Sequence, residues 1–384
     1  MKIDSYFNDF LSNIRLTASQ KADLITGHTT LRRRLLADED LNDIIISTFL
    51  QGSYRRSTAI RPLNGKRADV DVIIVTNLDR ESVTPEDAIE KFIPFVKKHY
   101  DGKYELQGRS IGIELSYVDL DIVITSAPSE VDKAALQSSS VLSSLMLEDF
   151  APTYEWRLSK GWSEPDLQKA NVYLSEAVKS EVEWKTSLLW IPDREAEQWD
   201  QTHPLEQIRW TRDKNKNTNK HFVNVVKALK WWRTLQLTNL KYPKGYPIEH
   251  MIGDRCPDGI SSVAEGVSKT LEGIVDAYYM DYILDRTPIL CDRGVPEHDV
   301  WKRVSVEDFK SFYDSVKEYS NIAKKALEAE SLKEQVNKWR QIFGDKFPPY
   351  DDDDDDASGK NSITPSGGFT PRKENSDVES GRFA

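Results

Sequence analysis

Apolar and polar positions alternate with period two over two short stretches of this chain. The first is Asp69-Val70-Asp71-Val72-Ile73-Ile74-Val75 and the second Tyr117-Val118-Asp119-Leu120-Asp121-Ile122-Val123-Ile124. A strand turns successive side chains to opposite faces. Val70, Val72 and Ile74 therefore share one face, and Asp69 and Asp71 share the other. In the second stretch Val118, Leu120, Ile122 and Ile124 oppose Asp119 and Asp121. Lys103–Leu106 and Gly112–Thr125 are strand segments by the same reading, and Ile44–Leu50 is a short apolar run leading into a Gly-Ser turn.

Elsewhere the spacing is helical. Residues 5–38 predict a helical run with Leu16, Leu24, Leu31 and Leu35 among its spaced apolar positions. Thr84-Pro85-Glu86-Asp87 predicts a helix start, with Thr as N-cap, Pro in the first helical position and an acid two further on. Ala88, Ile89, Phe92, Ile93 and Val96 give that helix a buried face, and Pro94 is a kink point. Leu167–Leu189 reads as helical in its second half, and Ile191–Pro204 closes the first half of the molecule. Later segments predict helices over His221–Leu235, from Ser305 onward, and over Ile322–Phe343. Trp231 and Trp232 are adjacent on a helix and cannot both face one pocket, so at least one belongs to the core. The apolar spacing stops near Phe347-Pro348-Pro349-Tyr350, where six aspartates and a Ser/Gly/Pro/Lys-rich tail begin.

Composition narrows the class. A chain of 384 residues predicts two lobes. No apolar run approaches the ~18 residues of a membrane span, and the start, Met1-Lys2-Ile3-Asp4-Ser5, lacks an apolar signal core, so a cytoplasmic protein is expected. Two cysteines, Cys256 and Cys291, make no disulfide framework, and beside His250 and His298 they lack the Cys-x-x-Cys spacing of a structural zinc site. The net charge is −11, of which the aspartates at 351–356 carry six units. An acidic body argues against an extended nucleic-acid surface. Locally the balance reverses: Arg55, Arg56, Arg61, Lys66 and Arg67 crowd the approach to Asp69 and as a group would steer an anion.

Paired acids on an apolar strand are costly without a cation. Two carboxylates about 4 Å apart repel by roughly 4 kcal/mol at an effective dielectric of about 20. Hard divalent ions, magnesium or manganese, remove that cost. Upstream, Gln51-Gly52-Ser53 offers backbone N–H groups and a hydroxyl to a phosphate. A phosphate cradle, a strand with two acids and a third acid on another strand form a nucleotidyltransferase arrangement.

These residues resemble a known family. Gly52-Ser53, Thr58-Ala59-Ile60, Asp69-Val70-Asp71 and Asp121-Ile122-Val123 resemble the polymerase-β-like nucleotidyltransferase core, and more narrowly the bacterial relatives of cyclic GMP-AMP synthase and oligoadenylate synthase found in anti-phage operons. Val226–Arg233 resembles the lobe helix that carries a phosphate-contacting lysine, here Lys230, and Tyr246-Pro247-Ile248-Glu249 the start of the next helix. Pro288–Asp292 with Pro296-Glu297-His298-Asp299 resembles a late loop of bacterial members. The resemblance spans roughly residues 40–305. It implies an α+β fold: a nucleotidyltransferase core over 1–200 with a long N-terminal helix, a helical lobe over 201–347 and a disordered acidic tail over 348–384.

The resemblance also implies the chemistry. Asp69, Asp71 and Asp121 would be catalytic and hold two magnesium or manganese ions, and Gln51, Gly52, Ser53 and Lys230 would bind nucleotide. Asp119 competes with Asp121 for the third metal position; the Ile-Val-Ile run after Asp121 favours the latter. ATP, with GTP or another nucleoside triphosphate, would be joined into a cyclic di- or trinucleotide that activates a separate effector. A transferase acting on an antibiotic, a tRNA end or a protein is the alternative. Some members are joined to a target by ubiquitin-activating-like (E1/E2-type) enzymes, which makes small Ala384 a candidate conjugation terminus.

Overall fold

The computed structural model describes residues 2–63, 65–127 and 188–351. By its internal contacts the chain divides at Pro349, into Met1–Pro349 and Tyr350–Ala384. Residues 167–187 of the expected helix over Leu167–Leu189, the bulk of the acidic tail and Ala384 lie outside the described residues, and Leu189 itself lies in a strand.

The described elements are α1 Lys2–Ile14, α2 Ala18–Leu36, β1 Ile45–Gln51, α3 Gly52–Arg55, β2 Asp69–Thr76, α4 Pro85–Glu90, α5 Ile93–Tyr100, β3 Tyr104–Leu106, β4 Ile111–Glu114 and β5 Asp119–Ser126. After the undescribed stretch come β6 Leu189–Asp193, β7 Gln198–Thr202, α6 Pro204–Asn217, α7 Phe222–Gln236, α8 Tyr246–Arg255, α9 Val263–Ile283, α10 Val306–Glu328 and α11 Leu332–Phe343. The strands form one mixed sheet in the order β1-β2-β5-β4-β3, with β6 joined to the far end of β5 and β7 to β6. Among the described strands only β2 and β5 run parallel; the other pairs are antiparallel.

The period-two pattern accounts for the two sides of the sheet. Val70, Val72, Ile74, Leu120, Ile122 and Ile124 bury into the main core together with Leu24, Leu31 and Leu35 of α2 and Phe95 and Val96 of α5. On the opposite face the acids occupy the first halves of β2 and β5. Ile73, Val75 and Val123 continue that face into a second, smaller core with Phe49 and Leu189. Helix α2 lies close against β5 at Gly27, where an added Cβ would come within 2.7 Å of a Val118 methyl.

Three expected helices are broken. The run over 5–38 is split before Ala18, because Thr17 accepts from the Gln20 N–H while the Gln20 side chain accepts from the Thr17 N–H, a complete capping box. The run over Ile322–Phe343 is likewise split. Helix α10 ends at Glu328, and Ser331 caps α11 by accepting from the Glu334 N–H. The first break has consequences for packing. Phe7 and Phe10 of α1 meet Trp339 and Phe343 of α11, with centroids 4.9 and 4.4 Å apart, and Phe347 closes the cluster. The N-terminal helix thus packs with the last helix, whereas α2 packs on the sheet. Thr84 caps α4 as expected, with Pro85 in its first turn. Pro94 sits in the first turn of the separate α5 instead of kinking one helix. Both Trp231 and Trp232 are buried.

Candidate active site

Strand register brings the acids together. Parallel pairing of β2 with β5 sets Asp69 opposite Asp119 and Asp71 opposite Asp121, all on one face. Antiparallel pairing sets Gln51, the last residue of β1, opposite Asp71. Burial, then the charges of Asp69 and Asp121, push the Asp71 carboxyl up to about 7. Burial, then Asp69 and Asp119, push Asp121 up to about 6, against the opposing Gln107 amide, which donates to Asp121 at 3.4 Å. Among the described residues no three His, Cys, Asp or Glu side chains close into a finished metal cage. Asp71 and Asp121 are nonetheless near enough to the other carboxylates for those charges to add to the upward push of burial, as expected where acids cluster on one buried face.

The register leaves Asp119 and Asp121 in equivalent positions, and their partners separate them. Asp119 accepts from Arg67 Nε at 2.6 Å, and Arg67 also reaches Glu114 at 3.0 Å. Asp119 is thereby neutralised by the chain itself. Among the described residues no cation pairs with Asp121, which faces Asp71 across the strand pair.

Gly52 has to be glycine. Its φ is +75°, and an added Cβ would lie 1.7 Å from Asp71 Oδ2. The turn that follows is closed by its own backbone: the Ser53 carbonyl accepts from the Thr58 and Ala59 N–H groups at 2.9 and 3.1 Å. A cleft of about 390 Å³ opens beside it, lined by Ser53, Arg61, Lys66, Arg67, Asp69 and Lys230 among others. The five cations of the 55–67 stretch therefore divide. Arg61, Lys66 and Arg67 line the cleft, Arg56 is buried, and half-buried Arg55 does not line it.

Sequence reasoning did not find what holds Lys230. Its ammonium donates to Glu249 Oε1 at 2.7 Å. The other carboxylate oxygen, Oε2, accepts from Thr58 Oγ1 at 2.9 Å and Arg56 Nε at 3.2 Å. Burial pushes Glu249 upward, but Arg56 and Lys230 outweigh it and hold the carboxyl at about 2. The one available signal was an acid within an otherwise apolar helix start, Tyr246-Pro247-Ile248-Glu249. Lys227, one turn from Lys230, is buried and does not line the cleft.

Residues 1–126 match the Second Messenger Oligonucleotide or Dinucleotide Synthetase domain. The chain is 46% identical to the cyclic AMP-AMP-GMP synthase of Enterobacter hormaechei subsp. hoffmannii, with 100% of both chains covered. The chain belongs to the CD-NTase family, the cyclic oligonucleotide synthases of CBASS operons. It is a nucleotidyltransferase that makes a cyclic oligonucleotide. A more distant relative, the cyclic AMP-AMP-AMP synthase of an Acinetobacter strain, is 28% identical over 91% of this chain and 86% of its own. Among solved structures, Bradyrhizobium diazoefficiens CdnG in complex with GTP superposes with a TM-score of 0.62 at 11% identity, over 90% of this chain and 96% of that one. Vibrio cholerae DncV with a linear intermediate gives 0.56 at 14% identity over 90% and 96%. At such identities the likeness establishes the fold: the expected α+β architecture with a polymerase-β-like core. No helix among the described residues is long and apolar enough to cross a membrane.

Proposed function

We propose that this CD-NTase joins ATP and GTP into cyclic AMP-AMP-GMP, a messenger for a separate effector in cytoplasmic anti-phage defence. The observation that carries the choice of product is the 46% identity, over the full length, to a synthase of that name. ATP is also the substrate implied by the name of the more distant cyclic AMP-AMP-AMP synthase.

The site's residues suit the chemistry. Asp69, Asp71 and Asp121 present oxygen donors on one face, with the Asp71 and Asp121 carboxyls driven upward by burial and then by the neighbouring acids, so the donor set fits hard divalent cations. When bound, two magnesium or manganese ions would neutralise the triphosphate and lower the pKa of the attacking hydroxyl. Ser53 and the Gly52 turn would cradle the donor's phosphates, with Gln51 fixing the turn to the Asp71 strand. Lys230 would meet the triphosphate from the helical side. The acceptor ribose oxygen then attacks the α-phosphorus in line, the bond to the bridging oxygen breaks, and pyrophosphate leaves. Positioning and electrostatics supply most of the rate in such transfers. A linear intermediate re-enters the same cleft for ring closure.

This reading keeps a core over 1–200 and a lobe over 201–347 as functional halves of the Met1–Pro349 unit. It also includes attachment of the chain through Ala384 by an E1/E2-type enzyme, for which Ala384→Glu should abolish conjugates in cell extracts. The product itself is tested directly. Purified protein is incubated with magnesium and labelled ATP, GTP, CTP and UTP in turn and in pairs, then treated with phosphatase. A resistant product that needs ATP and GTP together is expected; a resistant product from ATP alone, or none, refutes the assignment.

A further inference from the structure

We propose that Glu249 is a positioning residue for the donor triphosphate: its buried carboxylate ties Lys230 on α7 to the turn that carries Ser53, so that ammonium and turn present a single phosphate-binding wall. This rests on the nucleotide reading of the cleft and goes beyond it by assigning a role to a residue that does not itself line the cleft.

The geometry divides the carboxylate's two oxygens between two parts of the chain. Oε2 is taken by Arg56 and Thr58, which follow the phosphate turn directly. Oε1 is taken by Lys230, on a helix that begins far later in the sequence. Thr58 also closes the turn, because its N–H donates to the Ser53 carbonyl at 2.9 Å. A rigid chain of bonds therefore runs from Ser53 through Thr58 and Glu249 to Lys230. The Glu249 and Arg56 side chains are each 6% exposed and Lys230 is 14% exposed, so the pair is desolvated while the ammonium still borders the cleft.

Three features suit this arrangement to phosphate. An ammonium carries three N–H donors, and one bond to Glu249 leaves two for phosphate oxygens. Two cations share one carboxylate, so the cluster keeps a net positive charge beside the cleft. Arg56 is also stacked over the Tyr246 ring at 5.1 Å, which fixes it behind the carboxylate and away from substrate. A flexible lysine would spend rotamer entropy on each binding event; a lysine held in advance has already lost it.

The test uses the full chain, magnesium, and calorimetric affinity for two probes: a non-hydrolysable ATP analogue and adenosine, which lacks phosphates. Glu249→Gln keeps the shape and removes the charge. It is expected to weaken the ATP analogue about tenfold, equivalent to about 1.4 kcal/mol, with adenosine changed less than about twofold. In a Lys230→Met background the same substitution is expected to cost less than about twofold more, since a residue acting through Lys230 has nothing left to position. Glu249→Asp retains the charge and so protects the fold, but withdraws the carboxylate by one methylene. It should weaken the analogue by about threefold and spare adenosine, and it provides the reading if Glu249→Gln does not fold. Equal losses for both probes, full additivity with Lys230→Met, or wild-type affinity in both Glu249 variants would each overturn the proposal. Wild-type protein that binds neither probe removes the nucleotide reading and this inference with it. Wild-type protein that binds ATP alongside indifferent variants removes this inference alone.

Discussion

Asp71 is where three strands and the phosphate turn converge. It pairs in register with Asp121 and with Gln51, and its carboxylate occupies the space a side chain at Gly52 would need. Its carboxyl, at about 7 in the fold, sits above the ordinary value of 3.8 that it regains on unfolding. Between those values the unfolded chain binds fewer protons than the folded one. The contribution of Asp71 to metal-free stability therefore falls as pH rises from about 4 through about 7, by up to about 1.4 kcal/mol per unit. Asp69→Asn with Asp71→Asn removes that penalty along with two metal ligands. The expected outcome is no cyclic product, with a melting temperature in chelator at pH 8 at or above wild type and a difference that narrows by pH 5. Measurable product would exclude these acids from the reaction. The third acid is separated by a companion pair. Asp121→Asn is expected to silence synthesis. Asp119→Asn, which releases the half-exposed Arg67 and removes one of the lesser repulsions on Asp121, should cost at most about 1 kcal/mol of stability and retain product. Reversed activities would show that Asp119 supplies the third oxygen.

At the scale of elements, β2 and β5 were legible in advance because period two and the placement of acids are local signals, whereas β4 and β5 were read as one segment over Gly112–Thr125 and β6 and β7 were not foreseen. The cap of α4 was legible too, where Thr84, Pro85 and Asp87 lie within four residues. The break between α1 and α2 was hidden. Apolar spacing continues across Thr17, and only the paired hydrogen bonds with Gln20 end the run there. The Glu249 cluster was hidden for a different reason: Thr58 and Glu249 are 191 positions apart, and no local pattern encodes such a meeting. Helix α2 carries a further group with a measurable consequence. His28 is fully buried, its ring 6.3 Å from that of Tyr54 on the phosphate turn. Burial, then the charge of Arg32, push its imidazole down from 6.5 to about 4. Here the unfolded chain takes up the proton first. The stability His28 contributes is complete above pH 6.5 and is lost as pH falls toward 4, by about 1.4 kcal/mol per unit at most. Asp71 and Asp121 act in the opposite sense over part of this range, so wild type is compared with His28→Leu, which cannot titrate. The melting-temperature difference between the two should shift in favour of His28→Leu between pH 7 and pH 5. A difference that stays constant would mean the imidazole is protonated as readily in the fold as out of it.

For the molecule as a whole, every residue assigned to the reaction lies within the Met1–Pro349 unit, and the last side chain that closes its core is Phe347. Phe347 is fully buried, stacks with Tyr6 and Phe343 and meets Phe7 edge-on, while its carbonyl accepts from Arg340 at 2.6 Å. The Trp231 indole donates to the Phe343 carbonyl at 3.0 Å, so the same C-terminal turn steadies α7, the helix that holds Lys230. Two truncations should consequently behave very differently although their ends are only eight residues apart. A chain ending at Asp351 is expected to melt with the full-length protein and to make product at a near-normal rate, because the residues it loses, 352–384, carry no group assigned to the site. A chain ending at Phe343 loses Phe347 and exposes Phe7 and Phe10 of α1. Emptying a buried aromatic position costs about 3–5 kcal/mol, so its melting temperature should drop clearly. Nucleotide affinity should fall with it as α1, α11 and α7 lose their common anchor. Equal melting of the two truncated chains would show that the aromatic cluster does not hold the ends of the fold together, and the link from Phe347 to Lys230 would fall with it.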